Sequence, residues 1–532
     1  MTKPALTLLL TLAVIGAALV AARLPAAAVN PQIERVSVTS AGAEGHGPST
    51  QAAVSADGRF VAFASDAPDL VPDNGTNRDI FIHDRLTATT ELISVATDGG
   101  EANGPSLFPA LSADGRYVVY ESQADNLVPG DGNGYADIFL RDRQAETTTR
   151  VTLAPNGDEA NDDSLTPSIS ASGRYVTYTS QATNLAADDA NGERDVFVVD
   201  LTTGATQLVS KATDGTQGNF DSGGLGAGAA RISADGRYVV FGSFANTLVP
   251  NDMNDSDDIF VRDRVNSTTE RVSVSTDGVE GNDHSMYGAI SDDGRYVVFF
   301  SLADTLVAGD HNGAADVFLR DRQTGDTARI SRGTGVSEAN GASRFPVISG
   351  DGRFTAFQSD AGNLVDNDGN SRTDIFLYDM QPAVTQRMSA PSAGGEAHGN
   401  STTAAINGDG SVVAFQSLAD DLIPVDDNLT GDVFARGKAL APVPTPTTTR
   451  TPTPQATVTP TPTPGRCQAS LGDANGDGRV NSIDAALILQ FTAGLLPSIS
   501  PNADANQDGQ TNSIDAAVIL QFGAGLLTCL PP

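Results

Sequence analysis

SADGRYVVYESQADNLVPGDGNGYADIFLRDR, residues Ser112–Arg143, is one of seven versions of a single theme in this 532-residue chain. Its landmark glycine, Gly115, recurs as Gly58, Gly173, Gly236, Gly294, Gly352 and Gly410. The successive spacings are 57, 58, 63, 58, 58 and 58 residues. A fixed period of this size means one supersecondary unit used repeatedly. In the second unit four runs have strand length and turn residues at their ends: residues 109–112, 116–121, 137–141 and 149–153. Val, Ile, Phe, Tyr and Thr dominate them, and Asp-Gly joins the first two as a hairpin. No run of ten or more residues in the unit has helical periodicity. Four short antiparallel strands per unit make the blade of a β-propeller.

The ends of the array set the closure. The seventh unit has three strands, at 405–407, 412–416 and 432–435, and lacks a fourth. A spare fourth strand stands at the start instead: IERVSV, residues 33–38, matches ERVSV at 270–274. Pairing it with the seventh unit leaves no open sheet edge, and open edges invite aggregation. The sequence therefore predicts an all-β, seven-bladed β-propeller closed by an N-terminal strand and spanning residues 29–438. A small α-helical module follows it.

The run P-x-I/L-S-x-D-G-R-x-V/A-x-F-x-S resembles the TolB-like propeller repeat, a relative of WD-repeat blades. FPALSADGRYVVYES (108–122) and FPVISGDGRFTAFQS (345–359) carry it best, and the likeness covers roughly residues 31–437. Blade 3 departs with Ser172 for the aspartate and blade 7 with Ser411 for the arginine. The resemblance implies the fold; it leaves open whether the propeller is an enzyme or a binding platform.

Antiparallel strands send alternate loops to opposite faces. The second-to-third and inter-blade loops share one face, and two polar patterns repeat there. The first is D-x-N-x-x-x-D: Asp131/Asn133/Asp137, Asp189/Asn191/Asp195, Asp252/Asn254/Asp258, Asp310/Asn312/Asp316, Asp368/Asn370/Asp374 and Asp426/Asn428/Asp432. The first blade is one residue short, with Asp73 and Asp79. Oxygen ligands at alternate turn positions suit Ca²⁺; Asp and Asn also hold turns by bonding their own backbone. The second pattern, E-A/G-N/H-G-x-S or near it, places His46, Asn103, Asn161, Asn219, Asn282, Asn340 and His398 at one position. It reads either as a small-ligand or metal site between His46 and His398 across the closure or as seven equivalent caps. The glycine-rich stretch 221–230 before blade 4 breaks the symmetry, as a lid or an insertion.

Residues 1–28 read as a secretory signal: Lys3, an apolar run from 5 to 22, then Ala26-Ala27-Ala28. An uncleaved anchor is the alternative. The mature chain is expected to be secreted, extracellular or attached to a cell surface, with no membrane contact after cleavage. A net charge of −34 argues against nucleic acid or anionic lipid as partners and favours cations. The five histidines make no zinc spacing, and no nucleophile elbow or nucleotide-binding glycine motif stands out, so no catalytic residue is assigned. Residues 439–466 form a Pro/Thr-rich linker, a semi-rigid extended spacer.

The segment 467–532 carries the most specific signal. DANGDGRVNSID (473–484) and DANQDGQTNSID (504–515) place oxygen ligands at loop positions 1, 3, 5 and 12: Asp473, Asn475, Asp477 and Asp484, then Asp504, Asn506, Asp508 and Asp515. Arg479 and Gln510 offer backbone carbonyls, and Asn481 and Asn512 act through water. Gly478 and Gly509 take the sharp turn. Two Ca²⁺ ions are expected here. One helix follows each loop, with Ile483, Leu487 and Phe491, and Ile514, Val518 and Phe522, on its apolar face. Cys467 and Cys529 flank the module, and a bond between them would close its ends.

Paired half-EF-hands after such a linker resemble the type I dockerin, over residues 471–527. The resemblance implies docking onto a cohesin domain of a scaffold or surface protein, in Ca²⁺-dependent assemblies often devoted to polysaccharide breakdown. The partner-contacting positions map to Ser482, Ile483, Leu489 and Gln490, and to Ser513, Ile514, Leu520 and Gln521. The functional expectation is a docked propeller platform that meets a polysaccharide or a protein. The alternative is a glycoside hydrolase or polysaccharide lyase with its site at the channel mouth.

Overall fold

The computed structural model describes residues 33–72, 75–224, 228–334, 337–392 and 394–437, together with Ile488, which is helical and buried. The signal segment, the linker, the calcium ligands expected between Asp473 and Asp515, the docking positions between Ser482 and Gln521 and the pair Cys467/Cys529 lie outside the described residues. Contacts divide the chain into units Met1–Ala441 and Pro442–Pro532.

The described strands form seven four-stranded antiparallel sheets. Blade 2 consists of Ser106–Leu111, Tyr117–Ser122, Asp137–Asp142 and Thr147–Arg150. Its first strand starts three residues earlier than the sequence suggests. A bulge at Phe108 (φ 50°) shifts the register between Leu107 and Ala110 and hides the strand's start from a periodicity count. The same bulge recurs at Gln51, Thr166, Tyr287, Phe345 and Thr403, each a non-glycine residue at positive φ.

The ring closes as the sequence implies. Ile33–Arg35 pairs antiparallel with Asp432–Gly437, Ile33 opposite Arg436 and Arg35 opposite Phe434. The contact continues through Val36, whose N–H donates to Val433 O at 2.9 Å. Both ends of the propeller therefore lie on the hairpin face, opposite the polar loops.

The repeated motif explains how blades join. In the turn after the first strand of five blades, serine donates to the aspartate, as Ser112 Oγ does to Asp114 Oδ1 at 2.7 Å; blade 3 has Ser172 in the aspartate's place, and in blade 7 Asn407 donates to Asp409. The arginine then forks onto an aspartate at the end of the third strand: Arg116 Nε and Nη2 donate to Asp142 at 2.9 and 2.6 Å. Blade 7 lacks both partners, having Ser411 and Gly437. The landmark glycine has positive φ, and a Cβ on Gly173 would stand 2.3 Å from the Tyr117 ring of the preceding blade. Backbone bonds run from turn to turn around this face, from Ala56 to Ala113, Ala113 to Ala171 and onward to Gly408, which donates back to Ala56. The apolar core lies between blades: Val119 and Ile138 of blade 2 pack with Val176, Tyr178 and Phe197 of blade 3.

Candidate functional site

The two polar patterns of the loop face meet each other. Each pattern asparagine holds its own turn: Asn133 Oδ1 accepts the Tyr135 N–H at 3.0 Å, and its Nδ2 donates to Ala160 O at 3.1 Å in the second pattern. The second pattern's acid reaches back, with Glu159 Oε1 accepting the Gly132 N–H at 3.0 Å. The innermost aspartate accepts a hydroxyl from just beyond the fourth strand, as Asp258 does from Ser273 at 2.5 Å. Ser37, beyond the closing strand, does the same for Asp432 at 2.6 Å.

A guanidinium fills the space among these acids in five blades. Arg329 Nη1 lies 2.9 Å from Asp310, 3.2 Å from Asp316 and 3.1 Å from Glu338. Arg150 sits likewise among Asp131, Asp137 and Glu159, and Arg271 among Asp252, Asp258 and Glu280. Arg387 and the closing strand's Arg35 complete the set. Glu44, Asp426 and Asp432 converge closely enough to hold a metal ion, as do Asp252, Asp258 and Glu280, but an arginine already occupies each triad. Burial raises the pKa of the inner aspartates Asp137, Asp258, Asp316 and Asp374, and the nearby guanidinium opposes that rise. In these five blades the turn reading accounts for the pattern. The arginine was not legible beforehand, because it comes from a third stretch whose meeting with the other two only the fold reveals.

The position shared by His46 and His398 behaves as a cap. His46 N–H donates to Asp69 Oδ1 at 2.9 Å, Asn103 N–H to Asn126 at 3.0 Å and His398 N–H to Asp421 Oδ1 at 3.0 Å. Each histidine is thus tied to its own blade's second-to-third loop. His46 Nδ1 lies 2.5 Å from Asp69, which raises the imidazole pKa, while His398 Nδ1 lies 3.4 Å from Asp421 and 3.6 Å from Asp420. Both side chains are largely exposed.

The unrepeated chemistry lies in the central channel. First strands of neighbouring blades touch around the axis and enclose a cavity of about 390 Å³. Phe108, Tyr287 and Phe345 contribute aromatic faces, with Tyr287 and Phe345 edge to face at 4.5 Å. Blade 4 contributes Arg231. Its first strand is cut to Arg231–Ile232, because the glycine-rich segment leaves the sheet after Ser222 pairs with Ser243. Gly223, Gly224 and Gly228 take positive φ, and a Cβ on Gly228 would meet Tyr287 at 2.7 Å. The insertion therefore reaches from the loop face into the channel wall. Arg231 pairs with Val240, the register position of Ala110 and Ala289 in other blades. No carboxylate bonds it among the described residues, and burial lowers its pKa. Behind the wall, Glu121 accepts the Thr166 N–H at 2.8 Å, and burial pushes its carboxyl up to about 7.

Comparison with known proteins places these units. No curated protein sequence matches the chain. Among solved structures, TolB from Acinetobacter baumannii is 18 % identical with a TM-score of 0.37, covering 64 % of this chain and 65 % of that one. The chain thus spans just under two thirds of that relative. An oligogalacturonate lyase in complex with manganese is 12 % identical, TM-score 0.45, covering 77 % and 94 %. An oligogalacturonate lyase from Vibrio parahaemolyticus is 11 % identical, TM-score 0.44, covering 78 % and 92 %. These likenesses concern the fold. Residues 471–522 match the dockerin type I domain family, and the seven-bladed propeller precedes them in the chain.

Proposed function

We propose that this is a secreted docking protein whose C-terminal module binds a cohesin domain in a calcium-dependent manner and whose propeller serves as a binding platform in an extracellular, polysaccharide-degrading assembly. The dockerin match over residues 471–522 carries the reading. In it, Asp473, Asn475, Asp477, Asp484 and their counterparts Asp504, Asn506, Asp508 and Asp515 hold two Ca²⁺ ions, and Ser482, Ile483, Ser513 and Ile514 face the partner. The propeller's geometry supports it. The chain enters the propeller at Ile33 and leaves it at Gly437, both on the face opposite the polar loops.

One observation favours a second reading, a glycoside hydrolase or polysaccharide lyase. Arg231 stands where other blades have Ala110 and Ala289, and it lines one cavity together with Phe108, Tyr287 and Phe345. A guanidinium fits a carboxylate, and aromatic faces fit sugar rings.

The test is binding of the full chain to a panel of cohesins with calcium and with a chelator, followed by incubation with polysaccharides while released sugars are measured. Calcium-dependent capture without sugar release supports the platform. Sugar release abolished by Arg231→Ala establishes the enzyme instead, and failure to bind any cohesin removes the docking role.

A further inference from the structure

Blade 1 breaks the rule of the guanidinium. Strand register makes the seven positions equivalent: Arg150, Arg271, Arg329, Arg387 and Arg35 each stand opposite a third-strand phenylalanine. Leu92 stands opposite Phe81 in the same way, and Leu208 opposite Phe197. Two blades therefore lack the cation.

Blade 3 compensates within itself. Its acid is replaced by Gln217, whose Nε2 donates to Asp189 Oδ1 and Asp195 Oδ2, each at 2.8 Å. Blade 1 keeps the acid, Glu101, whose Oε1 accepts the Gly75 N–H at 2.7 Å. The pattern asparagine that bonds the inner aspartate in other blades is also missing, since Gly75 stands four residues before Asp79. In the other six blades the inner aspartate's Oδ2 has a donor: from Asn133 on Asp137, Gln217 on Asp195, Asn254 on Asp258, Asn312 on Asp316, Asn370 on Asp374 and Asn428 on Asp432.

Asp79 alone is left over. Its Oδ1 accepts Ser94 Oγ at 2.6 Å. Among the described residues its Oδ2 has no donor, the Glu101 carboxylate approaches it, and the residue is 0 % exposed. The Glu101 carboxylate adds repulsion to the cost of burial. A buried carboxylate oxygen without a donor costs free energy that a counter-ion offsets.

We propose that blade 1 binds a divalent cation of the calcium type between the carboxylates of Asp79 and Glu101, in the place that an arginine guanidinium takes in five sister blades. The site is oxygen-only, and water completes the coordination of a hard cation. Calcium then acts as a removable arginine and locks blade 1, the blade beside the closure, to blade 2.

The test uses the full chain, stripped with a chelator and dialysed against calcium at about 1 mM, the range of extracellular calcium modules. Leu92→Arg supplies the missing guanidinium, and Asp79→Asn removes the ligand. Each variant is expected to bind one calcium ion fewer per chain than the wild type. The dockerin loops contribute equally to all three proteins, so their failure would leave the difference intact. Calcium is also expected to slow amide hydrogen exchange in Asp79–Asp84 and Ser106–Leu111 of the wild type and to leave it unchanged in Asp79→Asn. Equal calcium content in wild type and both variants, or no calcium-dependent protection in these strands, overturns the proposal.

Discussion

Replacing Arg271 by leucine removes from blade 4 the guanidinium that blade 1 lacks. The Arg271 side chain is 9 % exposed and lies 3.2 Å from Asp252 and 3.1 Å from Asp258, with Glu280 closing the triad. Removing one partner of a buried ion cluster costs about 3–5 kcal/mol, because the remaining charges stay buried and unpaired. For a cooperative unit of roughly 400 residues, an entropy of about 2.1 cal/mol/K per residue converts about 4 kcal/mol into a fall of about 5 °C in the melting midpoint. Blade 3 shows what repairs the loss. Adding Glu280→Gln to Arg271→Leu recreates the pair Leu208/Gln217, whose amide reaches two aspartates at 2.8 Å. The glutamine oxygen can still accept the Met253 N–H that Glu280 accepts at 3.1 Å. The second substitution is expected to recover about 2 kcal/mol in the single mutant and little or nothing in the wild type, a coupling that a double-mutant cycle isolates. Calcium should raise the midpoint of Arg271→Leu by more than that of the double mutant, in which only the blade 1 site remains in the propeller. Scanning calorimetry of the four proteins, with and without chelator, makes the measurement. A cost below about 1 kcal/mol for Arg271→Leu, or no rescue by Glu280→Gln, would refute the idea that the guanidinium neutralises these acids.

Two further outcomes follow from the blade geometry. Gly173→Ala forces a methyl into the Tyr117 ring, 2.3 Å away, and places alanine at φ +77°; urea denaturation should show a loss of about 2–4 kcal/mol, opposite in sign to the gain of about 0.4–1 kcal/mol of an unstrained glycine-to-alanine replacement. Glu121→Gln keeps the acceptor for Thr166, as Gln358 does for Thr403 at 3.2 Å in blade 7. Because burial lifts the folded carboxyl from its ordinary 4.5 to about 7, the wild type's contribution is complete below pH about 4.5 and is lost as pH rises through 7; the variant should be the more stable protein at pH 8, by up to about 3 kcal/mol, and show no such gain at pH 4.

What the sequence disclosed follows from what repetition exposes. A strand that recurs about every 58 residues, Asp-Gly at six of the seven hairpins and a displaced IERVSV at the start are local patterns, and each needed only its own neighbours to be read. The bulges at Phe108 and Tyr287 were hidden because a bulge breaks the alternation by which a strand is recognised. Arg231 was hidden because it follows an insertion that carries it out of line with Ala110 and Ala289. The arginine-filled acid clusters needed three separated stretches at once. Their absence from blade 1 becomes meaningful only once Leu92 is known to share the register of Arg150.

The closure also has a mechanical side. The chain leaves the propeller from Asp432–Gly437, which is flanked by Val412–Ser417 on one side and Ile33–Arg35 on the other. A load applied at Gly437 along this strand therefore meets two ladders in shear, where the hydrogen bonds must fail together. A terminal strand at a sheet edge would set one ladder against the same load instead of two. Borrowing the fourth strand from the far end of the chain places the attachment point inside a sheet, so tension reaching the propeller through its tail falls on a seam built to resist sliding.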